Sequence, residues 1–277
     1  MKTWKYLFGI LALSALSIWL ALFASQDRNL HLIACDVGQG DAILAIYQNI
    51  QVLTDGGLGS SVLTCLEKYM PFWDREIELV VLTHPQLDHY GGLIEVLQRY
   101  KVGTFLTNNI DPSTPSLEAL RNAMGGSGAR VVKPAVGTSL RAEMIYLDIV
   151  HPPDSYTSTN PNDLSIVSIL RFGGFEALLT GDLSPKATQQ ILEKDLIKDV
   201  DYIKIPHHGS KNGLTLELLE ASKPEIAVIS VGRKNFYGHP HKEVLEMLES
   251  YGLRVLRTDE LGDVEIVSDG KKWWLGK

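Results

Sequence analysis

Cysteine is almost missing from these 277 residues: only Cys35 and Cys65 are present. Neither lies in a Cys-x-x-Cys spacing, so a cysteine-built metal site is excluded. In an exported protein the two could pair, but both stand in apolar segments, HLIACD and SVLTCLEKYM, a placement that favours two unpaired thiols in the core. An excess of positive charge is missing as well. Lys+Arg 26 against Asp+Glu 33 leaves a net charge of −7, and such a surface does not attract nucleic acid globally. The cations that bear on function are local: Lys204, Lys211, Arg233, Lys234 and Lys242 fall within or beside the later motifs, as a basic cluster or as scattered solvated lysines. No short-period repeat is found. With 45% hydrophobic and 21% charged residues, the chain buries a sizeable core in one large domain or two modest ones.

Long apolar runs are scarce, with one exception near the start. Lys2 and Lys5 precede an almost uncharged run from Tyr6 to Ala24, which polar SQDRN follows. Its length suits a bilayer crossing. A long signal peptide is the other reading, but Leu22 is a poor small residue three places before a cleavage edge at Ala24, so an uncleaved anchor is favoured. Lysines ahead of the span put the amino terminus inside. Residues 1–28 are thus expected to anchor residues 29–277 as a single-pass membrane protein with its body outside the cytoplasm, or to release a secreted body if cleaved.

Beyond the leader, strand and helix patterns interleave. HLIACD, DAILAIY and IQVLTDG read as short strands, SSVLTCLEKYM as a helix, IELVVLT as a strand, LIEVLQRY as a helix and VGTFL as a strand. From Asp111 to Gly137 the chain is rich in Pro, Gly, Ser and Asn, which predicts a surface excursion with one short helix near LEALRNAM. MIYLDIVHP, LSIVSILRF, FEALLTGD, DYIKIPH, EIAVISVG, LRVLRT, DVEIVSDG and KKWWL follow as strands, with PKATQQILEK, LTLELLEAS and HKEVLEMLESYG as helices. Two mixed sheets packed together, with helices on both outer faces, accommodate this order.

Several strands end in Asp or His. THPQLDHYGGL closes IELVVLT with His84, Asp88 and His89; IQVLTDG ends in Asp55 and LLTGD in Asp182; KIPHHGS runs from Lys204 through His207 and His208 to Ser210. DVGQGD holds Asp36 and Asp41 in a tight turn, and SVGRKNFYGHPH carries Asn235 and His239. Imidazole and carboxylate suit zinc and similar divalent ions, and glycines beside the carboxylates permit close backbone approach. Ligands gathered from separate strand ends make a rigid metal centre.

THPQLDHYGGL resembles the HxHxDH signature of the metallo-β-lactamase superfamily. Together with DVGQGDA, NDLSIV, LLTGD, KIPHHGS and SVGRKNFYGHP, it resembles the hydrolase domain of ComEC-type DNA-uptake proteins over about residues 29 to 269. The resemblance implies an α/β (α+β) fold, a four-layer αββα sandwich here preceded by one hydrophobic helix, with the active site at one edge between the sheets. By position, Asp88 and His89 would bind one metal, Asp182 would bridge, one of His207 and His208 would complete that site, and His84 would serve a neighbouring ion. The second signature histidine is Gln86 here, and Asn162 stands where a further histidine is often found. Amides are weaker zinc ligands than imidazole. One tightly held divalent ion is expected, zinc or else manganese, with a second weak, absent or not zinc. Both amides lie within the variation implied for ComEC-like relatives.

The implied chemistry is metal-assisted phosphodiester hydrolysis, in which an ion lowers the pKa of a water from about 15.7 to near 7. Asp88 and Asp182 would orient that water; Lys204, Ser210, Asn235, His239 and Asn162 would hold the phosphate. The histidine of His207 and His208 that is not a ligand would protonate the leaving oxygen. Asp36, Asp41, Asp55 and Gln86 would stand behind the ligands, holding histidine tautomers and loop shape. Expected partners are a phosphodiester, with single-stranded DNA or a cell-wall phosphodiester in view, the membrane through the leader, and a separate channel protein. A non-catalytic phosphate-gripping subunit of an uptake system is the other function considered.

Overall fold

In the strand Leu30–Ala34 and just beyond it, successive side chains alternate between two apolar surroundings: Leu32 and Ala34 face one core, Ile33 and Cys35 another. The same alternation in Val167–Phe172 sends Leu170 and Phe172 to the first core and Val167 and Ile169 to a third. Strands buried on both faces require a cover on each side, and this chain provides it. The computed structural model describes residues 2–24, 27–108, 110, 111 and 113–276, and it forms two sheets packed face to face with helices outside each.

The first sheet runs, edge to edge, through Trp273–Leu275, Val264–Ser268, Leu30–Ala34, Ile43–Tyr47, Ile50–Thr54, Glu76–Leu82, Lys101–Thr107 and Arg130–Val132. The second runs through Arg254–Arg257, Ile226–Ile229, Tyr202–Lys204, Phe175–Leu179, Val167–Phe172, Ile145–His151 and Ser139–Ala142. Leu32, Val52, Val81, Leu147, Leu170, Tyr202 and Val228 fill the space between them. Helices Ser61–Tyr69, Leu87–Arg99 and Pro115–Ser127 place Leu66, Leu93, Val96 and Leu120 against the first sheet. Pro185–Leu192, Leu216–Ser222 and Lys242–Ser250 place Ile191, Leu218 and Leu248 against the second. This is the expected αββα sandwich.

Ile50–Thr54 and Glu76–Leu82 are parallel, as are Phe175–Leu179, Tyr202–Lys204 and Ile226–Ile229. Parallel strands end on the same side, so the loops carrying the motifs are gathered along one edge of the sandwich. The sheets are joined there: Ile166 donates its backbone N–H to Thr83 O at 2.9 Å. Gly181, at φ 53°, fits so close to Thr83 that a Cβ would lie 2.9 Å from Thr83 Cβ.

Three expectations are corrected. Cys35 and Cys65 are not free thiols but a disulfide, with Cα atoms 5.9 Å apart. Alternation turns Cys35 toward the helix Ser61–Tyr69, whose inward face carries Cys65 beside Val62 and Leu66, so two buried sulfurs meet. Among the described residues, no helix is long and apolar enough to cross a membrane, which overturns the single-pass anchor and the localisation drawn from it. Helix Lys2–Ala24 covers the apolar run. Leu22 and Ala24, on which cleavage was judged, have side chains outside the described ones, and Ser25 and Gln26 lie outside the described residues altogether. The Asp111–Gly137 excursion is more ordered than its composition suggests. Pro115–Ser127 starts on the Thr114 cap, and Arg130–Val132 adds a strand to the first sheet; Pro112 lies outside the described residues.

Candidate metal centre

At the end of Glu76–Leu82 the chain turns through Thr83 to Gln86 into helix Leu87–Arg99, which places Asp88 and His89 in its first turn. His89 points inward, with its Nδ1 2.8 Å from Asp55 Oδ2. Asp55 also accepts from the Thr83 backbone N–H at 2.8 Å and from the Thr83 hydroxyl at 2.7 Å. That hydroxyl, its own proton given to Asp55, is left to accept from His84 Nδ1 at 3.0 Å. On the other sheet, Nδ1 of His208 faces the Ser230 carbonyl oxygen at 3.0 Å. All three Nδ1 atoms therefore carry protons, and all three Nε2 atoms are turned into the cleft.

They converge on Asp182. His89 Nε2 lies 3.4 Å from Asp182 Oδ1, His208 Nε2 3.6 Å from the same oxygen, and His84 Nε2 3.9 Å from Asp182 Oδ2. Asp88 Oδ2 is 3.5 Å from His208 Nε2. The Nε2 atoms of His84, His89 and His208, both oxygens of Asp182 and Oδ1 of Asp41 are buried without a hydrogen-bond partner. Buried polar atoms are rarely left so. Three sets of these side chains, His84 with His89 and Asp182, Asp88 with His89 and His208, and Asp41 with Asp182 and His208, bring ligand atoms within 4.8 Å of one another. The donor set fits a divalent cation.

The electrostatics argue the same way. Burial alone would push Asp182 and Asp41 up, yet both carboxyls are held below the usual range, Asp182 by His208 and His89, Asp41 by Lys204 and His208. Burial would likewise push His89 and His208 down, but Asp182 with Asp55 raises His89 well above the ordinary value, and Asp182 with Asp41 raises His208 to about 9. The carboxylates draw in positive charge as protons where a cation would otherwise lie. His84 behaves differently: burial, then His89, lowers it to about 3.

The backbone is strained around this cluster. Asp55, His207 and His208 adopt φ of 61°, 52° and 54°. Non-glycine residues pay about 1–3 kcal/mol each for such conformations, which persist only when the surroundings enforce them. Glycine does the same work elsewhere: a Cβ on Gly40 would lie 2.1 Å from Asp88 O, so only glycine lets the DVGQGD turn sit on the helix start, where Asp41 N–H donates to Asp88 O at 3.2 Å.

Not every expected residue reaches the cleft. Asp36 is exposed and accepts from Gly38 N–H within its own turn at 3.2 Å. Asn235 is spent on its loop, donating to Gly232 O at 2.9 Å and His239 O at 2.8 Å and accepting from His239 N–H at 2.9 Å. Ser210 is buried and caps Asn212 N–H at 3.2 Å. Lys204 lies in the floor, paired with Asp41 and donating to Gly181 O at 3.0 Å, so it balances charge beneath the cleft rather than meeting a phosphate at its mouth. Gln86, Asn162, His207 and His239 do line it. Gln86 donates to Asn162 Oδ1 at 2.8 Å, and Asn162 Nδ2 faces His207 Nδ1 at 3.4 Å. That contact makes His207 Nδ1 an acceptor and places the ring proton on Nε2, 3.7 Å from Asp182 Oδ2. Residue patterns alone miss two supports, the Thr83 hydroxyl and the Ser230 carbonyl. Thr83 is marked by its place between strand and His84; a backbone carbonyl leaves no mark in a sequence. A hollow at the opposite strand ends, lined by Glu176, Asp201, Glu220 and Glu225 together with Lys198 and Lys223, holds none of the cleft's side chains.

Imidazoles and carboxylates that could bind a divalent ion thus converge at one edge of an αββα sandwich. The chain belongs to the metallo-beta-lactamase superfamily, whose family model matches residues 35–233. Members of that superfamily are generally metal-dependent hydrolases, and this one is related to competence proteins. It is 29% identical over 248 residues to ComE operon protein 3 of Bacillus subtilis, covering 83% of this chain and 32% of that protein. Recombination protein 2 of Haemophilus influenzae is 31% identical over 237 residues, with 83% and 28% covered. The chain thus spans about a third of the length of the curated relatives it matches. Among solved structures, the metallo-beta-lactamase fold protein YhfI from Bacillus subtilis aligns with a TM-score of 0.57 at 13% identity, over 89% of this chain and 100% of that one, a likeness of fold.

Proposed function

We propose that residues 29–277 form a metal-dependent phosphodiesterase acting on DNA or a related phosphodiester, with zinc, or else manganese, as its ion. The observation that carries this reading is the meeting of three unpartnered Nε2 atoms around the unpartnered carboxylate of Asp182. Asp88, His89, Asp182 and His208 would hold the ion, with His84 at its flank. A divalent ion there supplies an acidified water and neutralises charge on a phosphoryl oxygen.

The chain's own groups do the rest. Asp55 and the Ser230 carbonyl hold His89 and His208 in the tautomer that offers Nε2. Asp88, less buried than Asp182, accepts hydrogen bonds from the attacking water and orients it. His207 is neutral near pH 7 because burial lowers it, and it donates its Nε2–H toward the phosphate. Lys204 stabilises the carboxylates of the floor.

Turnover of bis(p-nitrophenyl) phosphate with added zinc or manganese tests the reading. Metal-dependent turnover that Asp182→Ala and Asp88→Ala each lower by about a hundredfold or more is expected. No turnover with any divalent metal, together with retained DNA binding, would favour a non-catalytic binding subunit instead.

A further inference from the structure

The loop from Gly232 to His239 leaves the carboxyl end of Ile226–Ile229 and stands beside the metal centre. It is braced at its base. Gly232 N–H donates to Gln39 Oε1 at 3.3 Å, and a Cβ on Gly232 would lie 2.6 Å from Gln39 N, so the loop is seated against the Asp36–Asp41 turn. The Asn235 amide ties both ends of the tip together through its bonds to Gly232 and His239. Such a loop presents whatever it carries in a set position.

It carries two aromatic rings into solvent. Phe236 is 103% exposed and Tyr237 67%, and no other large apolar side chain among the described residues is as exposed as Phe236. Tyr237 is stacked on His239, ring centroids 5.6 Å apart and planes 22° from parallel. His239 in turn lies 5.7 Å from the His207 ring and 6.4 Å from the His208 ring. A file of flat rings therefore leads from the metal centre to the loop tip.

The segments on its own side of the cleft are cationic in an acidic chain, while exposed Asp36 lies in the turn that braces the loop and Arg233 donates to Asp259 O at 2.9 Å. Residues 226–242 and 202–216, which form this side of the cleft, contain no Asp or Glu, while Lys211, Arg233 and Lys234 are exposed there. Two lone rings are too small for stable docking of a folded protein, which takes about 800 Å² per partner. Rings set among cations suit a flexible polyanion whose own units are flat.

We propose that Phe236 and Tyr237 form a platform on which bases of single-stranded nucleic acid stack, delivering the adjoining phosphodiester to the metal centre. This rests on the phosphodiesterase reading above and names the recognition element of that site. Arg233, Lys234 and Lys211 meet neighbouring phosphates, and stacking tolerates any base because each has a π face. The platform therefore selects single strands over duplexes and over phosphodiesters without rings.

The test uses the full chain in EDTA, where turnover is arrested, and fluorescence anisotropy with labelled thymidine oligonucleotides of about ten nucleotides and their abasic counterparts of equal length. The wild type binds the base-bearing strand about tenfold or more tighter than the abasic one. Phe236→Ala with Tyr237→Ala binds both at the abasic level, while Tyr237→Phe keeps the preference, which separates stacking from a damaged fold. Equal binding of the two strands by the wild type, or an undiminished preference in the double variant, overturns the platform. Turnover of bis(p-nitrophenyl) phosphate, measured separately, tells the two readings apart. Turnover without base preference removes the platform alone, and base preference without turnover removes the hydrolytic reading alone.

Discussion

Gln86 donates its side-chain N–H to Asn162 across the cleft at 2.8 Å, so two amides from different sheets are clamped on each other. They occupy the flank of the centre where His84 stands, the side on which further imidazoles would be needed for another ion. Amide oxygens are weaker ligands, and that of Asn162 is already engaged by the Gln86 N–H.

The expected metal content is therefore about one equivalent of divalent ion per chain, measured by elemental analysis after zinc or manganese loading and desalting. Gln86→His combined with Asn162→His adds imidazoles beside His84 and raises the content toward about two. Two tightly held equivalents in the wild type would refute the blocking role of the amide pair.

Ion uptake should release protons. In the metal-free chain, Asp182 and Asp41 overcome burial and hold His208 at about 9, and Asp182 with Asp55 holds His89 well above its ordinary value, so both rings are imidazolium at pH 7. A ring that gives its Nε2 lone pair to an ion must lose that proton. Affinity accordingly rises with pH through about 9, where His208 is half deprotonated, and flattens only above it. Calorimetric titration at pH 7 in buffers of different ionisation enthalpy should show about two protons leaving per ion. A heat of binding that is the same in every buffer would contradict the assignment of His89 and His208 as ligands.

The Cys35–Cys65 disulfide closes a loop of sequence separation 30 and ties the first sheet to helix Ser61–Tyr69. Replacing both cysteines by alanine should lower unfolding stability in urea by about 2–4 kcal/mol. Metal content should hold, because neither sulfur belongs to the centre. An unchanged denaturation midpoint would mean that the bridge does not constrain the unfolded chain.

Much of this molecule is legible in its sequence wherever a pattern has one physical reading. The apolar runs HLIACD and LSIVSILRF point to sheets covered on both faces, and His84, Asp182 and His208, expected as ligands, and Asp55, expected behind them, each closely follow an apolar strand and do come together in one cleft. What a strand end does not disclose is which way a polar side chain turns. Asp36 and Asn235 sit in the right loops and turn back onto their own backbone, and Lys204 is held in the floor by Asp41. The disulfide is hidden for a related reason: Cys35 and Cys65 meet only once a helix is laid on a sheet. Glycine and proline between Asp111 and Gly137 mask a helix and a strand that tertiary packing stabilises. Helix Lys2–Ala24 shows the limit of reading an apolar run as a membrane crossing.

Asp41, Asp55, His84, Asp88 and His89 come from the first half of the chain, Asp182, Lys204, His207 and His208 from the second, and the centre exists only where their two sheets meet. A polypeptide emerging during synthesis has no complete chelating set until residue 208 has been made and both halves have docked. On the proposed ligand set, ion capture waits until both halves have docked, and a product cut short before His208 would lack ligands from the second sheet.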